Sequence, residues 1–320
     1  MTYSEIWHRI ATSYDDGEAR AIARILIEEL FGLSYADIVC GATEQLSADD
    51  TLRLDTAVRR IEQGEPLQHV LGYADFCGNR FCVNGSVLIP RPETEWLVDE
   101  GAKLMDGCIA SDEMQHKAPH SPKRILDIGT GSGCIAISLK LRLGDAYVEA
   151  WDISEEALRT AQDNADALKA EVVFRKRDAL RADNTAAPWD LIVSNPPYIC
   201  NSERSAMDDN VLLHEPHTAL FVPDDDPLRF YRAIARYALL TLNPGGTLLF
   251  ECNTRYAEAT GTMLSDMGFE EVTVSDDCFN LPRFVRGSSP SQPSPSGRAW
   301  LPKVKQTVGG YGIPAVAIGN

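Results

Sequence analysis

The sequence predicts an α/β fold: a Rossmann-like domain with a mostly parallel sheet, preceded by a small N-terminal helical domain. Short apolar runs recur between residues 124 and 251 and are typical of strands buried on both faces. One of these runs leads directly into a glycine-rich turn and then a segment of helical periodicity, as a βαβ unit begins. The stretch from residue 4 to residue 63 shows helical periodicity instead, and 320 residues suit two domains.

The N-terminal stretch has the pattern of packed helices. Its apolar residues recur at helical spacing, as at Ala21, Ile22, Ile25, Leu26 and Leu30. Ser47 stands three residues before Asp50 and is placed to cap the helix that follows. No residue here suggests chemistry, so the stretch is interpreted as a packing domain.

Turn signals and composition divide the chain into four parts. Aromatic and valine residues around Gly78-Asn79 predict a β-hairpin between Tyr73 and Val87. From Ser288 onward the chain begins with a run of serine and proline and contains no Asp or Glu, which predicts a disordered extension. We expect a helical domain at 1–72, a hairpin linker at 73–89, an α/β domain at 90–287 and a disordered tail at 288–320.

The first predicted strand of the α/β domain ends in a glycine-rich loop. Arg124–Ile128 is apolar except for Arg124 and Asp127, and the residues that follow are Gly129, Thr130, Gly131, Ser132 and Gly133. Glycines at alternate positions let the backbone turn tightly and let a ligand approach without a Cβ in the way. Such a loop occurs in nucleotide, dinucleotide and adenosylmethionine sites, so it predicts a ligand without specifying which.

A carboxylate follows the second predicted strand. Asp152 lies 19 residues after Gly133, where an acidic residue would hold the hydroxyls of a ribose. It could equally cap the helix that begins near Ser154, and both roles could hold together. The glycine loop and Asp152 jointly favour a ligand that contains a nucleoside.

Asn195, Pro196, Pro197 and Tyr198 follow the predicted strand Trp189–Ser194. Proline has no backbone N–H, and a residue before proline avoids helical angles, so the strand cannot continue into a helix here. The loop offers an amide, peptide carbonyls and an aromatic face. It therefore suits a substrate that presents an NH2 group on a flat surface.

Two observations favour S-adenosylmethionine over a dinucleotide. A carboxylate at Asp127 would repel a pyrophosphate but attract an amine-bearing ligand. If the sheet order is 3-2-1-4-5, the first and fourth strands are neighbours at the point where the order reverses, and ligands bind at their carboxyl ends. The glycine loop and Asn195 then face one cleft.

The chain resembles the HemK/PrmC family, the protein-(glutamine-N5) methyltransferases of peptide-chain release factors, over about its first 287 residues. The motifs that carry the resemblance are Asp127–Gly133, Asn195–Tyr198, Leu88–Glu95, and Glu215-Pro216 with Ala219-Leu220. The resemblance implies a class I S-adenosylmethionine-dependent methyltransferase with a mostly parallel seven-stranded sheet. It also implies that the helical domain helps to hold a class I release factor and that the substrate is the glutamine of a Gly-Gly-Gln motif.

Each candidate residue then has an expected role. We expect Asn195 and Pro196 to accept the N–H groups of the substrate amide, with Tyr198 packed against it. The cofactor contacts are expected from Asp127, Gly129, Thr130, Gly131, Ser132, Gly133, Asp152, Asp178, Ala179 and Asn195, and the substrate contacts from Asn195, Pro196, Pro197 and Tyr198. Some family members have an aromatic residue in place of Ala179, so a stacking contact with adenine is not expected there. Phe250-Glu251, at the end of the fifth strand, is interpreted as structural.

Composition limits the classes of binding partner that the protein is expected to have. The net charge of −17 disfavours tight binding to a nucleic-acid backbone, so a protein partner is expected. Eight scattered cysteines without a Cys-x-x-Cys pair favour reduced thiols, and no metal site is predicted. We find no signal peptide core and no membrane-length apolar run, which predicts a cytoplasmic protein, expected as a monomer.

Two alternatives remain open on the sequence. An exocyclic amino group of adenine or guanine would satisfy the same pocket after base flipping, although no basic target-recognition segment is present. A release-factor binder that has lost catalysis would keep the same fold, against which the intact Asn195 and glycine loop argue.

Overall fold

The N-terminal helices pack around one apolar cluster. The computed structural model describes residues 1–112, 122–182 and 188–291. Helices α1 to α5 are Tyr3–Ile10, Asp16–Phe31, Tyr35–Val39, Ala48–Glu62 and Leu67–Leu71. The Ser47 hydroxyl accepts a hydrogen bond from the Asp50 N–H at 3.1 Å, which confirms the predicted cap of α4. Ile6, Leu26 and Leu54 are fully buried in the cluster that these helices share.

A hairpin follows the helices. Strands β1 (Tyr73–Phe76) and β2 (Asn79–Cys82) pair antiparallel, with positive φ angles at Cys77 and Gly78 in the two-residue turn. The buried side chain of Asn164 accepts from the Cys82 N–H at 2.7 Å and donates to Cys82 O at 3.0 Å and to Ser132 O at 2.9 Å. This one amide therefore ties the hairpin to the glycine loop.

The rest of the described chain forms a seven-stranded sheet with helices on both faces. Its elements in chain order are α6 Glu95–Asp112, β3 Arg124–Ile128, α7 Cys134–Leu143, β4 Tyr147–Asp152, α8 Glu155–Leu168, β5 Val172–Lys176, β6 Trp189–Ser194, β7 Ile199–Cys200, α9 Asp209–His214, α10 His217–Leu220, β8 Phe221–Val222, α11 Arg229–Thr241, β9 Leu242–Glu251, α12 Ala257–Met267, β10 Glu270–Asp276 and β11 Pro282–Ser288. The strand order is β5-β4-β3-β6-β9-β11-β10, while β7 and β8 form a separate parallel pair. The predicted fold class and the 3-2-1-4-5 order of the first five strands are confirmed.

Each strand of the sheet centre sends alternate side chains to two different cores. Ile125 of β3 and Leu191 of β6 join one cluster, and their neighbours Leu126 and Ile192 join the other. Because both faces are covered, the strands are apolar along their length, as the sequence pattern required.

The last strand lies inside the sheet. β11 pairs antiparallel with β9 on one side and with β10 on the other. Its Phe284 is buried and stacks on Trp96 of α6, with ring centroids 4.2 Å apart. Ser288 is the final residue of β11, and residues 292–320 of the predicted tail lie outside the described residues.

Within the described part of the chain, we find no helix with the length and apolar character needed to cross a membrane.

Candidate active site

The glycine loop folds back over the end of β4. The N–H groups of Gly129 and Thr130 both donate to Trp151 O, at 2.8 and 2.9 Å, and Gly133 N–H donates to Thr130 O at 2.8 Å. Gly129, Gly131 and Gly133 have φ angles of +79°, +54° and +82°, which side chains with a Cβ rarely adopt. These angles explain why glycine stands at all three positions.

Two of these glycines differ in what surrounds them. A Cβ on Gly133 would lie 2.9 Å from Ile137 Cδ1 and 3.1 Å from Ala161 Cβ, so this glycine allows α7 and α8 to pack closely. A Cβ on Gly131 would meet nothing within 4 Å. The loop therefore leaves open space at Gly131, as a bound ligand requires.

Asp152 connects the loop to the chain after β4. Its Oδ2 accepts from Gly131 N–H at 2.9 Å, and its Oδ1 accepts from Ser154 N–H at 2.9 Å. Ser154, whose hydroxyl accepts from Ala157 N–H, is the N-cap of α8. The alternative that Asp152 caps this helix is therefore wrong. Burial raises the pKa of Asp152, although its backbone hydrogen bonds act against that rise.

Asp127 is a fully buried carboxylate with an unused oxygen. Its Oδ2 accepts from the Thr130 hydroxyl at 2.6 Å, whereas Oδ1 makes no hydrogen bond to any described residue. Burial raises the pKa of Asp127 to about 7, against smaller lowering effects of Thr130 and the Ala136 N–H. An unpaired buried carboxylate oxygen is costly, so the site fits a ligand that brings a positive charge or N–H donors.

Asp178 and Ala179 follow β5. The Asp178 carboxylate accepts from Leu180 N–H at 2.9 Å and caps the short 3-10 helix Ala179–Arg181. Ala179 is partly buried against the core beneath the sheet. One oxygen of Asp178 is thus committed to its own backbone, and a contact with adenine stays a prediction for both residues.

The Asn195 loop is fastened to the strand that carries the glycine loop. The hydroxyl of Ser194 donates to Ile128 O at 2.6 Å. A Cβ on Gly129 would lie 3.9 Å from Asn195 O. The structure thus brings the two motifs to the same edge of the sheet, as the strand order predicted. Pro196 is buried, while Asn195 and Pro197 are half-buried at this edge.

Tyr198 points its hydroxyl into the protein. The hydroxyl donates to Glu251 Oε1 at 3.4 Å, and the backbone oxygen of Tyr198 accepts from the Asn253 amide at 3.4 Å. Burial is the main reason why the pKa of Tyr198 is raised. The expected packing of its ring on a substrate amide stays a prediction.

Two residues of this edge were not predicted to take part. Thr94 donates from its hydroxyl to Glu251 Oε2 at 2.7 Å and accepts from the Asn195 side-chain amide at 3.4 Å. Thr94 and Glu251 are both buried. The interpretation of Glu251 as a structural strand end is therefore incomplete. The position of Glu251 at the end of β9, the strand next to β6, was the available signal.

An ion pair holds the segment before α6 in place. Arg91 Nη2 lies 2.5 Å from Glu215 Oε1, and Ile89 N–H donates to Glu215 Oε2 at 3.4 Å. Burial raises the pKa of Glu215, and Arg91 opposes that rise. Two of the motifs that carry the family resemblance, Leu88–Glu95 and Glu215-Pro216, thus meet in one contact.

The fold and this site define a class I S-adenosylmethionine-dependent methyltransferase. Residues 96–220 match the family described as Methyltransferase small domain, and residues 8–72 match the PrmC N-terminal domain.

Similar proteins of known name show which family of methyltransferases the chain belongs to. A release factor glutamine methyltransferase of Bacteroides thetaiotaomicron is 43% identical over 273 residues, which is 85% of this chain and 93% of the relative. A release factor glutamine methyltransferase of Flavobacterium psychrophilum is 36% identical over 281 residues, which is 87% of this chain and 94% of the relative. The chain therefore belongs to the release factor glutamine methyltransferase family, and the resemblance to HemK/PrmC is confirmed.

Proposed function

We propose that the protein transfers a methyl group from S-adenosylmethionine to the side-chain amide nitrogen, N5, of the glutamine in the Gly-Gly-Gln motif of class I release factors. The observation that carries the proposal is that the Asn195 loop and the glycine loop meet at one sheet edge, where a Cβ added to Gly129 would lie 3.9 Å from Asn195 O. The names of relatives that match more than four fifths of this chain support the choice of substrate.

Carboxylates and backbone groups would hold the cofactor. When bound, S-adenosylmethionine supplies an electrophilic methyl group on a positively charged sulfur. The buried Asp127 suits its ammonium group, since opposite charges attract strongly where water is excluded. Asp152 is proposed to bind the ribose hydroxyls while it accepts from Gly131 N–H. Oδ2 of Asp178, which lies 3.6 Å from Arg181 Nε, is proposed to accept from adenine beside Ala179.

The protein's own contribution to catalysis is positioning and electrostatics. An amide nitrogen is a poor nucleophile because its lone pair is delocalised into the carbonyl. Asn195 Oδ1 and the Pro196 carbonyl would each accept one N–H of the glutamine amide and thereby fix its plane. Both oxygens would also stabilise the positive charge that grows on nitrogen as the N–C bond forms and the methyl group leaves the cofactor sulfur, which keeps the electron pair of the broken S–C bond. The surplus amide proton leaves to solvent.

The helical domain is the proposed contact for the rest of the release factor. Residues 8–72 match the PrmC N-terminal domain. The net charge of −17 favours binding to a basic protein surface over binding to a nucleic-acid backbone. We propose that the reaction takes place in the cytoplasm, where release factors act.

Labelled S-adenosylmethionine tests this function directly. The protein is incubated with a release factor, with the same factor carrying Gln→Glu in its Gly-Gly-Gln motif, and with duplex DNA. Label should enter the first substrate alone, because the glutamate has no NH2 group and places a negative charge against two acceptors. Label in DNA, or equal label in the Gln→Glu factor, would overturn the proposal.

A further inference from the structure

The amide of Asn195 must face the substrate with its oxygen, and geometry alone does not ensure this. The oxygen and nitrogen ends of an Asn side chain have nearly the same shape, but only the oxygen accepts an N–H. If the side chain turned over, its NH2 group would meet the NH2 group of the substrate. A methyltransferase of this kind therefore needs a feature that selects one orientation.

The contact between Asn195 and Thr94 has a defined direction. A hydroxyl group carries one hydrogen, and Thr94 uses it on Glu251 Oε2 at 2.7 Å. Towards Asn195, 3.4 Å away, the hydroxyl can only accept. The end of Asn195 that faces Thr94 is therefore its NH2 group, and Oδ1 faces the other way.

Glu251 sets this direction because a carboxylate only accepts. Its two oxygens accept hydrogen bonds from the hydroxyls of Thr94 and Tyr198. The residue is 1% exposed, so water does not compete for these hydrogen bonds. Burial raises the pKa of Glu251, while the hydrogen bond from Thr94 and the nearby Arg283 guanidinium oppose that rise and favour the carboxylate. The hydrogen-bond chain therefore runs from Asn195 through Thr94 to Glu251.

The sheet register explains how the three residues meet. Ser194 of β6 lies opposite Phe250 of β9, so the next residue on each chain segment, Asn195 after β6 and Glu251 at the end of β9, lies beside the other at the sheet edge. Thr94 enters from the short 3-10 helix Pro92–Thr94, which precedes α6 and is 157 residues from Glu251 along the chain.

We propose that Thr94 and Glu251 are positioning residues, which hold the Asn195 amide with its oxygen towards the glutamine of the substrate. This inference rests on the proposed function for the identity of the substrate. The orientation of Asn195 itself depends only on contacts within this chain.

Three variants test the chain of hydrogen bonds in the full-length protein. Thr94→Val keeps the shape and removes the hydroxyl, and Glu251→Gln replaces an acceptor with a group that can also donate. Both should lower kcat for release-factor methylation about tenfold or more, with the affinity for S-adenosylmethionine within threefold of wild type. Thr94→Ser, which restores the hydroxyl, should recover most of the turnover lost in Thr94→Val.

A matched control separates this role from a general loss of packing. Thr241 is also buried, and its hydroxyl donates to Tyr237 O, at the sheet edge opposite the site. Thr241→Val should keep wild-type kcat. Wild-type kcat in both Thr94→Val and Glu251→Gln, or an equal loss in Thr94→Val and Thr94→Ser, would overturn the inference.

A second measurement does not depend on the substrate. The side-chain NH2 signals of Asn195, identified by their disappearance in Asn195→Asp, should exchange slowly with water in the wild type and at least tenfold faster in Thr94→Val. Equal exchange rates would refute the hydrogen bond to Thr94. If the wild type methylates no release factor, the proposed function fails, while this exchange measurement still decides the orientation of Asn195.

Discussion

The glycine loop yields a prediction in which three glycine-to-alanine changes have different effects. Gly133→Ala places a Cβ 2.9 Å from Ile137 Cδ1 and 3.1 Å from Ala161 Cβ, at a φ of +82°. The backbone conformation should cost about 1 to 2 kcal/mol and the overpacking about 1 to 3 kcal/mol. The free energy of unfolding should therefore fall by about 2 to 5 kcal/mol, a large fraction of the usual total of about 5 to 15 kcal/mol.

Gly131→Ala should affect the ligand more than the fold. Its φ of +54° carries the backbone cost of about 1 to 2 kcal/mol, but the new Cβ meets nothing within 4 Å. The methyl group would occupy the open space beside Asp152 that the cofactor is proposed to fill. We expect the Kd for S-adenosylmethionine to rise about tenfold or more, equivalent to about 1.4 kcal/mol.

Gly32→Ala is the matched control. Gly32 ends α2 at a φ of +67°, also with nothing within 4 Å, and lies in the helical domain. It should lose the same stability as Gly131→Ala and keep the wild-type Kd. Urea unfolding and titration calorimetry measure both quantities. Cofactor binding by Gly131→Ala that equals that of Gly32→Ala would refute the placement of the cofactor, and wild-type stability of Gly133→Ala would refute the packing argument.

Three further predictions concern charged and amide groups. Asn195→Asp should lower turnover about a hundredfold while the calorimetric Kd for S-adenosylmethionine stays within a few-fold, and near wild-type turnover would remove Asn195 from catalysis. Because burial raises the pKa of Asp127 from 3.8 to about 7, the folded protein holds a proton that the unfolded chain has lost. Its stability should therefore fall as the pH rises from 4 to 7. Asp127→Asn should flatten that decline in urea unfolding, whereas parallel profiles would contradict the assignment. Arg91→Met leaves the buried Glu215 without its partner and should lower the free energy of unfolding by about 2 kcal/mol, less than for a fully buried pair because Arg91 is partly exposed. Adding Glu215→Gln should recover part of this loss, and strictly additive losses would show that the pair is not coupled.

Local patterns were enough to predict the parts of the site that depend on neighbours in sequence. The glycine loop, Asp152 and Asn195 each lie at or just after the end of a strand, and the order assumed for the first five strands is the order observed. A parallel sheet places such strand ends along one edge, so motifs that are far apart in sequence could be assigned to one cleft.

The contacts that the sequence did not reveal are of two kinds. Thr94 meets Glu251 across 157 residues, and a threonine before a helix carries no local sign that its partner is a distant carboxylate. The cap of α8 is a choice between neighbours: Asp152 and Ser154 are both good caps, and only the path of the backbone selects Ser154. The direction of the Tyr198 hydroxyl depends on the same distant Glu251.

The position of β11 has a consequence for folding of the enzyme during its synthesis on the ribosome. β10 has no other partner in the described sheet, and β9 has β11 as its only neighbour on that side. A chain that stops before residue 282 would therefore expose two strand edges, which invite pairing with other chains. Phe284 would also be missing from the core beneath Trp96. We expect a nascent chain to gain activity in a single late step and prematurely ended products to be aggregation-prone and inactive.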